Sequence, residues 1–252
     1  MGTGRWVRQI LLAALVLSGA GFLAAQRGGG RYELLPNTQY DGKFTFVRLR
    51  YVPPMGRGFR DQGWAHDYPD AEVHFGKILS ELSFTRTYLG GSNILTLDDP
   101  ELFKYPIAYM SEPGFWTLSP EETLGLRNWL TKGGFLIFDD FYGSHWFNLE
   151  ARMREVLPDA RWVPLDTSHP VFDSFFRIES LDFYHPYQAG YKSEWFGIFE
   201  ENDPEKRLLV VANYNNDIGD YWEYSDRDWA PIELTNEAYK FGVNYVIYAM
   251  TH

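Results

Sequence analysis

The sequence of 252 residues contains no cysteine. This absence excludes disulfide bonds, a thiol nucleophile and a metal site built from thiolates. Basic residues are also scarce, because 23 lysines and arginines stand against 34 acidic residues and give a formal net charge of −11 at pH 7. A nucleic-acid-binding protein needs a basic surface, so this balance argues against a nucleic-acid partner.

One long apolar stretch stands at the N-terminus. Arg5 and Arg8 precede an apolar run that begins at Ile10 and is followed by small residues. This layout is typical of a secretory signal peptide. We therefore predict that residues 1–25 direct export to the periplasm or out of the cell. An uncleaved membrane anchor is the alternative, and in that case the N-terminal segment is the only predicted membrane contact.

The rest of the chain has the composition of one large domain. Hydrophobic residues make up 45% and charged residues 23% of the sequence, which is enough to bury a single core. The glycine-rich segment after the signal peptide predicts a linker over residues 26–43. Residues 44–252 then form the folded domain.

Strand and helix patterns alternate along this domain. Strands are predicted at 44–51, 107–110, 135–139, 194–199 and 207–213. Helices are predicted at 69–82, 119–133, 147–156 and 233–250. The clearest helix begins with Ser119 as N-cap and Pro120 in its first turn, and Asp70 is the predicted N-cap of the first helix. This order predicts an α/β sandwich of three layers with a mostly parallel central sheet.

Two acids follow one of these strands directly. Asp139 and Asp140 end the apolar run that starts at Phe135. An unpaired charge is costly to bury, so these carboxylates must face a partner, a metal ion or water. In a parallel sheet, ligand sites lie at the carboxyl ends of the strands, where both residues fall.

Other acids follow neighbouring strands and predict a candidate site. Glu112 comes after the strand at 107–110 and is a candidate to converge with Asp140 and His145. Asp217 and Asp220 come after the last strand. Mg²⁺ and Ca²⁺ prefer several oxygen ligands, so these residues are candidates for a catalytic or divalent-cation site.

A structural role is the preferred interpretation of the acidic pair. Arg48 and Arg50 lie near the end of the first strand and are candidate partners for Asp140, while Asp139 is a candidate cap of the following loop or of the next helix. Buried ion pairs commonly form without any catalytic role.

The segment "WAHDYPDAE" brings together several side chains that are candidates to line a cleft. Trp64 and Asp67 are the ligand-binding candidates, and His66 and Tyr68 belong to the same stretch. The preferred interpretation is again structural: a loop anchored by aromatic rings. His185 precedes a proline and is interpreted in the same way.

Aromatic residues are abundant, with 9 Trp, 17 Tyr and 19 Phe. If the rings of Trp116, Trp146 or Trp222 were exposed, they would favour a carbohydrate-binding module, in which flat rings stack on sugars. Burial of these rings would remove that alternative.

Three segments carry a resemblance to a known family. The segments "FTFVRLRY", "WAHDYPDAE" and "GGFLIFDDF" resemble the bacterial domain of unknown function 4159 over roughly residues 44–250. The longer segment from "YPIAYM" to "FDDF" resembles class I glutamine amidotransferase-like domains. The resemblance implies an amidotransferase-like, flavodoxin-like fold, and it supplies no activity because that bacterial family has none established.

The chain departs from true amidotransferases at their catalytic positions. Asp140 occupies about the place of the nucleophilic cysteine, and "YNNDIGDYWE" after the last strand contains no histidine. Glutamine hydrolysis by a Cys-His-Glu mechanism is therefore excluded. We expect an exported, non-catalytic binding or scaffold domain whose partner is a protein or a carbohydrate. The alternatives are a metal-assisted hydrolase with Glu112, Asp140 and His145, and the carbohydrate-binding module.

Overall fold

The computed structural model of the chain describes residues 34–54, 63–188 and 190–252. The predicted signal segment and the first part of the predicted linker lie outside the described residues. The strands are β1 (Phe44–Leu49), β2 (Thr87–Leu95), β3 (Ile107–Ser111), β4 (Phe135–Phe141), β5 (Val163–Pro164), β6 (Glu194–Phe199) and β7 (Leu208–Tyr214). The helices are α1 (Asp70–Ser83), α2 (Pro120–Thr131), α3 (His145–Val156), α4 (Gly219–Glu223) and α5 (Ile232–Thr251).

The strands form one sheet in the order β2-β1-β3-β4-β7-β6-β5. The first five strands in this order run parallel, while β6 is antiparallel to β7 and β5 is antiparallel to β6. The predicted α/β sandwich with a mostly parallel central sheet is therefore confirmed, and its arrangement is flavodoxin-like.

Alternating side chains of the strands build one apolar core on each face of the sheet. Phe135 and Ile137 of β4 belong to the core that includes residues of α1, α4 and α5. Leu136 and Phe138 belong to the opposite core, which includes residues of α2 and α3. Because successive strand residues point to opposite faces, an apolar run with no alternation is the expected pattern for such a strand.

The predicted start of α2 is confirmed in detail. Ser119 Oγ accepts a hydrogen bond from Glu122 N at 3.1 Å, and Glu122 Oε2 accepts one from Ser119 N at 2.8 Å. This reciprocal pair is a capping box. The predicted N-cap of α1 is wrong, because Asp70 is the first helical residue and no side chain caps the preceding position.

Three of these elements were not predicted. Strand β2 lies at the edge of the sheet, and its first half contains Gly90 and Gly91, which weaken the strand pattern. Strand β5 has only two residues, and helix α4 is a single turn in the segment after β7.

The end of the predicted linker is attached to the sheet. Asn37 donates a hydrogen bond to Ile94 O at 2.9 Å, and Thr38 N donates one to Asn93 Oδ1 at 2.8 Å. The hydrogen-bonded part of the chain therefore begins ahead of β1. Among the described residues, none of the helices has the length and apolar character that crossing a membrane requires.

Candidate functional site

The carboxyl ends of the parallel strands gather the candidate residues. Asp139 and Asp140 lie at the end of β4, Glu112 follows β3, and Asp217 follows β7. His66 reaches the same end from the loop between β1 and α1. The predicted location of the site, at the edge where this class of sheet binds ligands, agrees with the structure.

A bulge separates the two adjacent acids of β4. The pairing of β4 with β7 shifts register between Phe138 and Phe141, and Asp140 has a left-handed backbone with φ of 55°. Asp67 (φ 65°), Glu112 (φ 47°) and Asn215 (φ 59°) share this unusual conformation. Each such residue costs roughly 1–3 kcal/mol, so the surrounding contacts must hold this end of the sheet in place.

The Asp139 carboxylate accepts four hydrogen bonds. Its Oδ2 accepts hydrogen bonds from Tyr109 Oη and from the backbone N–H groups of Ile218 and Gly219, all at 2.9 Å. Its Oδ1 accepts a bond from Asn213 Nδ2 at 3.0 Å. These bonds tie β4 to the start of α4, which follows β7. The prediction that Asp139 caps the following loop or the next helix is therefore wrong, because α3 has no side-chain cap.

Burial sets the titration of Asp139. The carboxyl is fully buried, and this burial raises its pKa to about 6, although the hydrogen bonds from Asn213, Gly219 and Tyr109 favour the charged form. With all of these donors in place, Asp139 has little capacity left for an external ligand.

Asp140 has a different partner from the one that the sequence indicated. Its Oδ2 lies 2.8 Å from His66 Nδ1 and 3.3 Å from Ser111 Oγ. The predicted pairing of Asp140 with Arg48 or Arg50 is wrong, because Arg50 is exposed and Arg48 bonds elsewhere.

Arg48 is fully buried and pairs with Glu72 of α1 through its Nε. Its Nη1 donates to the backbone carbonyl oxygens of Trp64 at 3.0 Å and His66 at 2.7 Å. The guanidinium thereby fixes the loop that carries His66. Trp64 contributes this carbonyl oxygen, while the residue itself is only 3% exposed, so its ring offers little surface to a ligand.

Four ionisable side chains converge here, two from this loop and two from the segment after β7. Ligand atoms of His66, Asp67, Asp217 and Asp220 all lie within 4.8 Å of one another. We call these four residues the acidic cluster. Asp67 is 2% exposed and Asp217 is 3% exposed, so both carboxylates are withdrawn from water.

Asp67 is the least satisfied member of the acidic cluster. Neither of its carboxylate oxygens accepts a hydrogen bond from any residue that the structure describes. His66 is a charged neighbour, with its Nδ1 3.3 Å from Asp67 Oδ1. Buried polar groups are nearly always hydrogen-bonded or bound to a metal ion, so Asp67 is a candidate ligand for a cation.

The electrostatics of the acidic cluster lead to the same conclusion. Burial raises the pKa of Asp67 and of Asp217 well above the ordinary value for aspartate, and the neighbouring acids raise both further. Burial opposes charge on His66, but its hydrogen bond to Asp140 and the nearby aspartates raise its pKa to about 11. The site thus favours positive charge and disfavours additional negative charge.

Backbone glycine makes room for the Asp67 carboxylate. A Cβ atom at Gly219 would lie 2.3 Å from Asp67 Oδ2 and 2.8 Å from Tyr109 Oη. The first residue of α4 must therefore lack a side chain if Asp67 is to keep its position.

Glu112 lies on the other side of His66. One ligand atom each of His66, Glu112 and Asp140 lie within 4.8 Å of one another, which makes a second group of possible ligands. A Cβ atom at Gly63 would be 2.2 Å from Glu112 Oε2, so this carboxylate packs tightly against the loop.

His145 does not join either group. It is the first residue of α3, and its ring packs edge-on against Phe115 with centroids 4.4 Å apart. The predicted convergence of Glu112 and Asp140 therefore occurs, and His66 takes the place that was expected for His145.

The candidate sugar-stacking tryptophans are not available as flat exposed faces. Trp116 and Trp222 are buried, at 0% and 2% exposure. Trp146 is half-buried and packs against Trp162 and Phe196 at centroid distances of 5.2 and 4.7 Å. Stacking on a carbohydrate through these rings is therefore not supported.

Some residues of the site escaped the sequence analysis. The sequence marks His66 only as part of a loop, and it carries no signal that Glu72 pairs with Arg48. His185, expected to be structural, lies with its Nε2 3.0 Å from Asp220 Oδ2 and so borders the acidic cluster. A signal for His66 existed, since it is adjacent to Asp67 in a loop that follows a strand.

The chain is therefore an α/β domain with a buried acidic cluster, including His66, at the carboxyl ends of its parallel strands. The model of the family described as domain of unknown function (DUF4159) matches residues 45–250, and the chain belongs to this family. A comparison with curated proteins finds no match.

Proposed function

We propose that the domain binds a divalent cation through the acidic cluster of His66, Asp67, Asp217 and Asp220. The observation that carries the proposal is the buried Asp67 carboxylate, whose two oxygens lack hydrogen-bond donors among the described residues. A cation between these side chains would satisfy Asp67 and would neutralise charges that burial otherwise disfavours.

The spacing of the side chains supports this proposal. His66 Nδ1 lies 3.3 Å from Asp67 Oδ1 and 3.9 Å from Asp217 Oδ2. Two ligands that bind one ion at about 2.1–2.4 Å are separated by roughly 3.0–3.9 Å when they are neighbours around it. The cluster is therefore close to a binding geometry and needs only small rotations of side chains.

A binding role is favoured over thiol-type catalysis. The chain has no cysteine, and His145 lies outside the acidic cluster. We infer an amidotransferase-like ancestry from the sequence resemblance, supported by the left-handed backbone at Asp140 at the end of a central strand. In this proposal the chain retains the fold, and residues at the ends of its strands bind a cation where amidotransferases carry catalytic residues.

Metal-assisted hydrolysis is the second candidate function. It is favoured by Glu112 and Asp140, which place two further carboxylates beside His66. Carboxylates next to a bound cation are suited to act as a general base toward a metal-bound water.

Export is proposed from the N-terminal sequence alone. Residues 1–25 have the charge and apolar pattern of a signal peptide. A cation-binding domain in the periplasm or outside the cell would then act as a binding or scaffold domain for a protein or carbohydrate partner.

The proposal is tested with the full chain stripped of metal by a chelator. Isothermal titration with Mg²⁺, Ca²⁺, Mn²⁺ and Zn²⁺ should show saturable binding of at least one ion. The midpoint temperature of thermal unfolding should rise when that ion is added. An ion at a free concentration of one hundred times its Kd stabilises the folded state by about 2.7 kcal/mol.

Matched variants locate the site. Asp217→Asn should abolish binding, whereas Asp182→Asn, which changes an exposed aspartate elsewhere, should leave it intact. Equal binding by both variants would overturn the proposal. Cation-dependent turnover of p-nitrophenyl acetate or bis(p-nitrophenyl) phosphate, lost in Asp140→Asn, would favour the hydrolase over the binding role.

A further inference from the structure

We propose that the acidic cluster takes a first-row transition cation such as Mn²⁺ or Zn²⁺, with His66 as a nitrogen ligand, and not a purely oxygen-bound Mg²⁺ or Ca²⁺. This inference rests on the proposed cation site and deepens it by naming the class of ion. It also replaces the Mg²⁺ or Ca²⁺ ion that the sequence predicts.

The position of the His66 ring carries the inference. Its Nδ1 lies 2.8 Å from Asp140 Oδ2, 3.3 Å from Asp67 Oδ1 and 3.9 Å from Asp217 Oδ2. One ring nitrogen thus faces three carboxylates from three different segments of the chain.

A buried arginine holds the backbone of the loop that carries His66. Arg48 donates hydrogen bonds to the carbonyl oxygens of Trp64 and His66, and Glu72 holds Arg48 from α1. Arg48 and Glu72 are both fully buried. Since the backbone of the loop is held by buried charges, His66 Nδ1 is directed toward the cluster before any ion arrives, which lowers the entropy cost of binding.

The chemistry of the donor atoms then selects the ion. Imidazole nitrogen suits Zn²⁺ and the neighbouring transition ions, whereas Mg²⁺ and Ca²⁺ take oxygen ligands. Three aspartates from the cluster add oxygen donors that Mn²⁺ and Zn²⁺ also accept. One nitrogen together with carboxylate oxygens is therefore a donor set for a transition cation.

Asp140 completes the arrangement. His66 Nδ1 cannot both carry the proton that it donates to Asp140 and offer a lone pair to an ion. Binding of the ion at Nδ1 therefore releases this proton to solvent. The Asp140 carboxylate beside it then becomes an additional oxygen ligand or an acceptor for water on the ion.

The test uses Mn²⁺ bound to the full chain and pulsed electron paramagnetic resonance. Wild-type protein should show the coupling of a directly bound ¹⁴N nucleus. His66→Asp, which replaces the nitrogen with a carboxylate, should still bind Mn²⁺ but should lose this coupling. His252→Asn, at the C-terminus, is the control and should retain it.

Affinities supply a second measurement. Most sites bind Zn²⁺ more tightly than Mg²⁺, so the informative quantity is the ratio of the two affinities in each variant. His66→Asp should lower the preference for Zn²⁺ over Mg²⁺ by at least about tenfold relative to wild type. An unchanged ratio would contradict the role of His66.

The outcomes separate this inference from the proposed function. If Mn²⁺ binds, Asp217→Asn abolishes the binding, and no ¹⁴N coupling is seen, the nitrogen ligand is refuted while the cation site stands. If no cation binds to the wild-type protein, both are refuted.

Discussion

Replacing Glu72 with glutamine should destabilise the fold strongly. The side chains of Arg48 and Glu72 are both fully buried, and Arg48 Nε donates to Glu72 Oε1. Glu72→Gln keeps the size of the side chain and removes its charge, so the Arg48 guanidinium stays buried without an anion. Breaking a buried pair by removing one partner typically costs about 3–5 kcal/mol.

The remaining contacts of Arg48 set where in this range the loss should fall. Its hydrogen bonds to the carbonyl oxygens of Trp64 and His66 do not involve Glu72 and are retained. The glutamine oxygen can still accept the bond from Nε. We therefore expect a loss near the lower end, about 3 kcal/mol, which is still a large part of the 5–15 kcal/mol that usually separates folded from unfolded states.

Urea denaturation followed by tryptophan fluorescence measures this loss. The matched control is Glu81→Gln, an exposed glutamate on the same helix, for which a change within about 0.5 kcal/mol is expected. If Glu72→Gln costs less than about 1 kcal/mol, or no more than the control, the assignment of the buried ion pair is refuted.

Three further predictions concern the site. Asp140→Ala leaves the buried ion pair intact and should lower the free energy of unfolding by less than Glu72→Gln in the same urea titration; equal losses would contradict the contacts described for Asp140. Gly219→Ala puts a methyl group 2.3 Å from Asp67 Oδ2, so it should lower the free energy of unfolding by about 1–3 kcal/mol. It should also weaken the binding of Mn²⁺ measured by thermal melts, and unchanged binding would contradict the position of Asp67. In cation-free protein, the pKa of Asp139 is about 6 in the folded state and 3.8 in the unfolded state. Between these two pH values the folded state keeps a proton that the unfolded state has lost, so raising the pH disfavours folding. The free energy of unfolding of wild type relative to Asp139→Asn should therefore fall by up to roughly 3 kcal/mol between pH 4 and 7 in denaturation series, and a rise would refute the sign.

The architecture was predictable because its signals are local. The capping residues of α2 and the apolar run of β4 are properties of short segments, and each forms the predicted element. The order of strands and helices then limits the fold to a few arrangements. Strand β2 was not predicted because it lies at the edge of the sheet and contains two adjacent glycines.

The sequence indicates where the candidate site lies, but it does not indicate which of its side chains pair with one another. The carboxyl ends of β4 and β7 indicate where Asp140 and Asp217 lie, since parallel strands end at one edge of the sheet. The partner of Arg48 depends on how the first turn of α1 packs against β1, which no sequence pattern specifies. His66 lies in a loop without periodicity, and its orientation comes from the hydrogen bonds of Arg48 to that loop.

His145 was predicted to join Glu112 and Asp140 because it is close to Asp140 in the sequence. This residue follows the acids of β4 closely, but it opens α3, where its ring packs against Phe115. His66 is 74 residues away from Asp140 in the chain and contacts it directly. Tertiary packing, and not sequence distance, decides which histidine reaches the acids.

Crystals of the protein grown with Mn²⁺ and measured at the manganese absorption edge show whether a cation binds among His66, Asp67, Asp217 and Asp220. We expect an anomalous peak about 2.0–2.6 Å from His66 Nδ1 and from oxygens of the three aspartates. A map without a peak at this position, with water or a protein donor bonded to Asp67 instead, would refute the cation site.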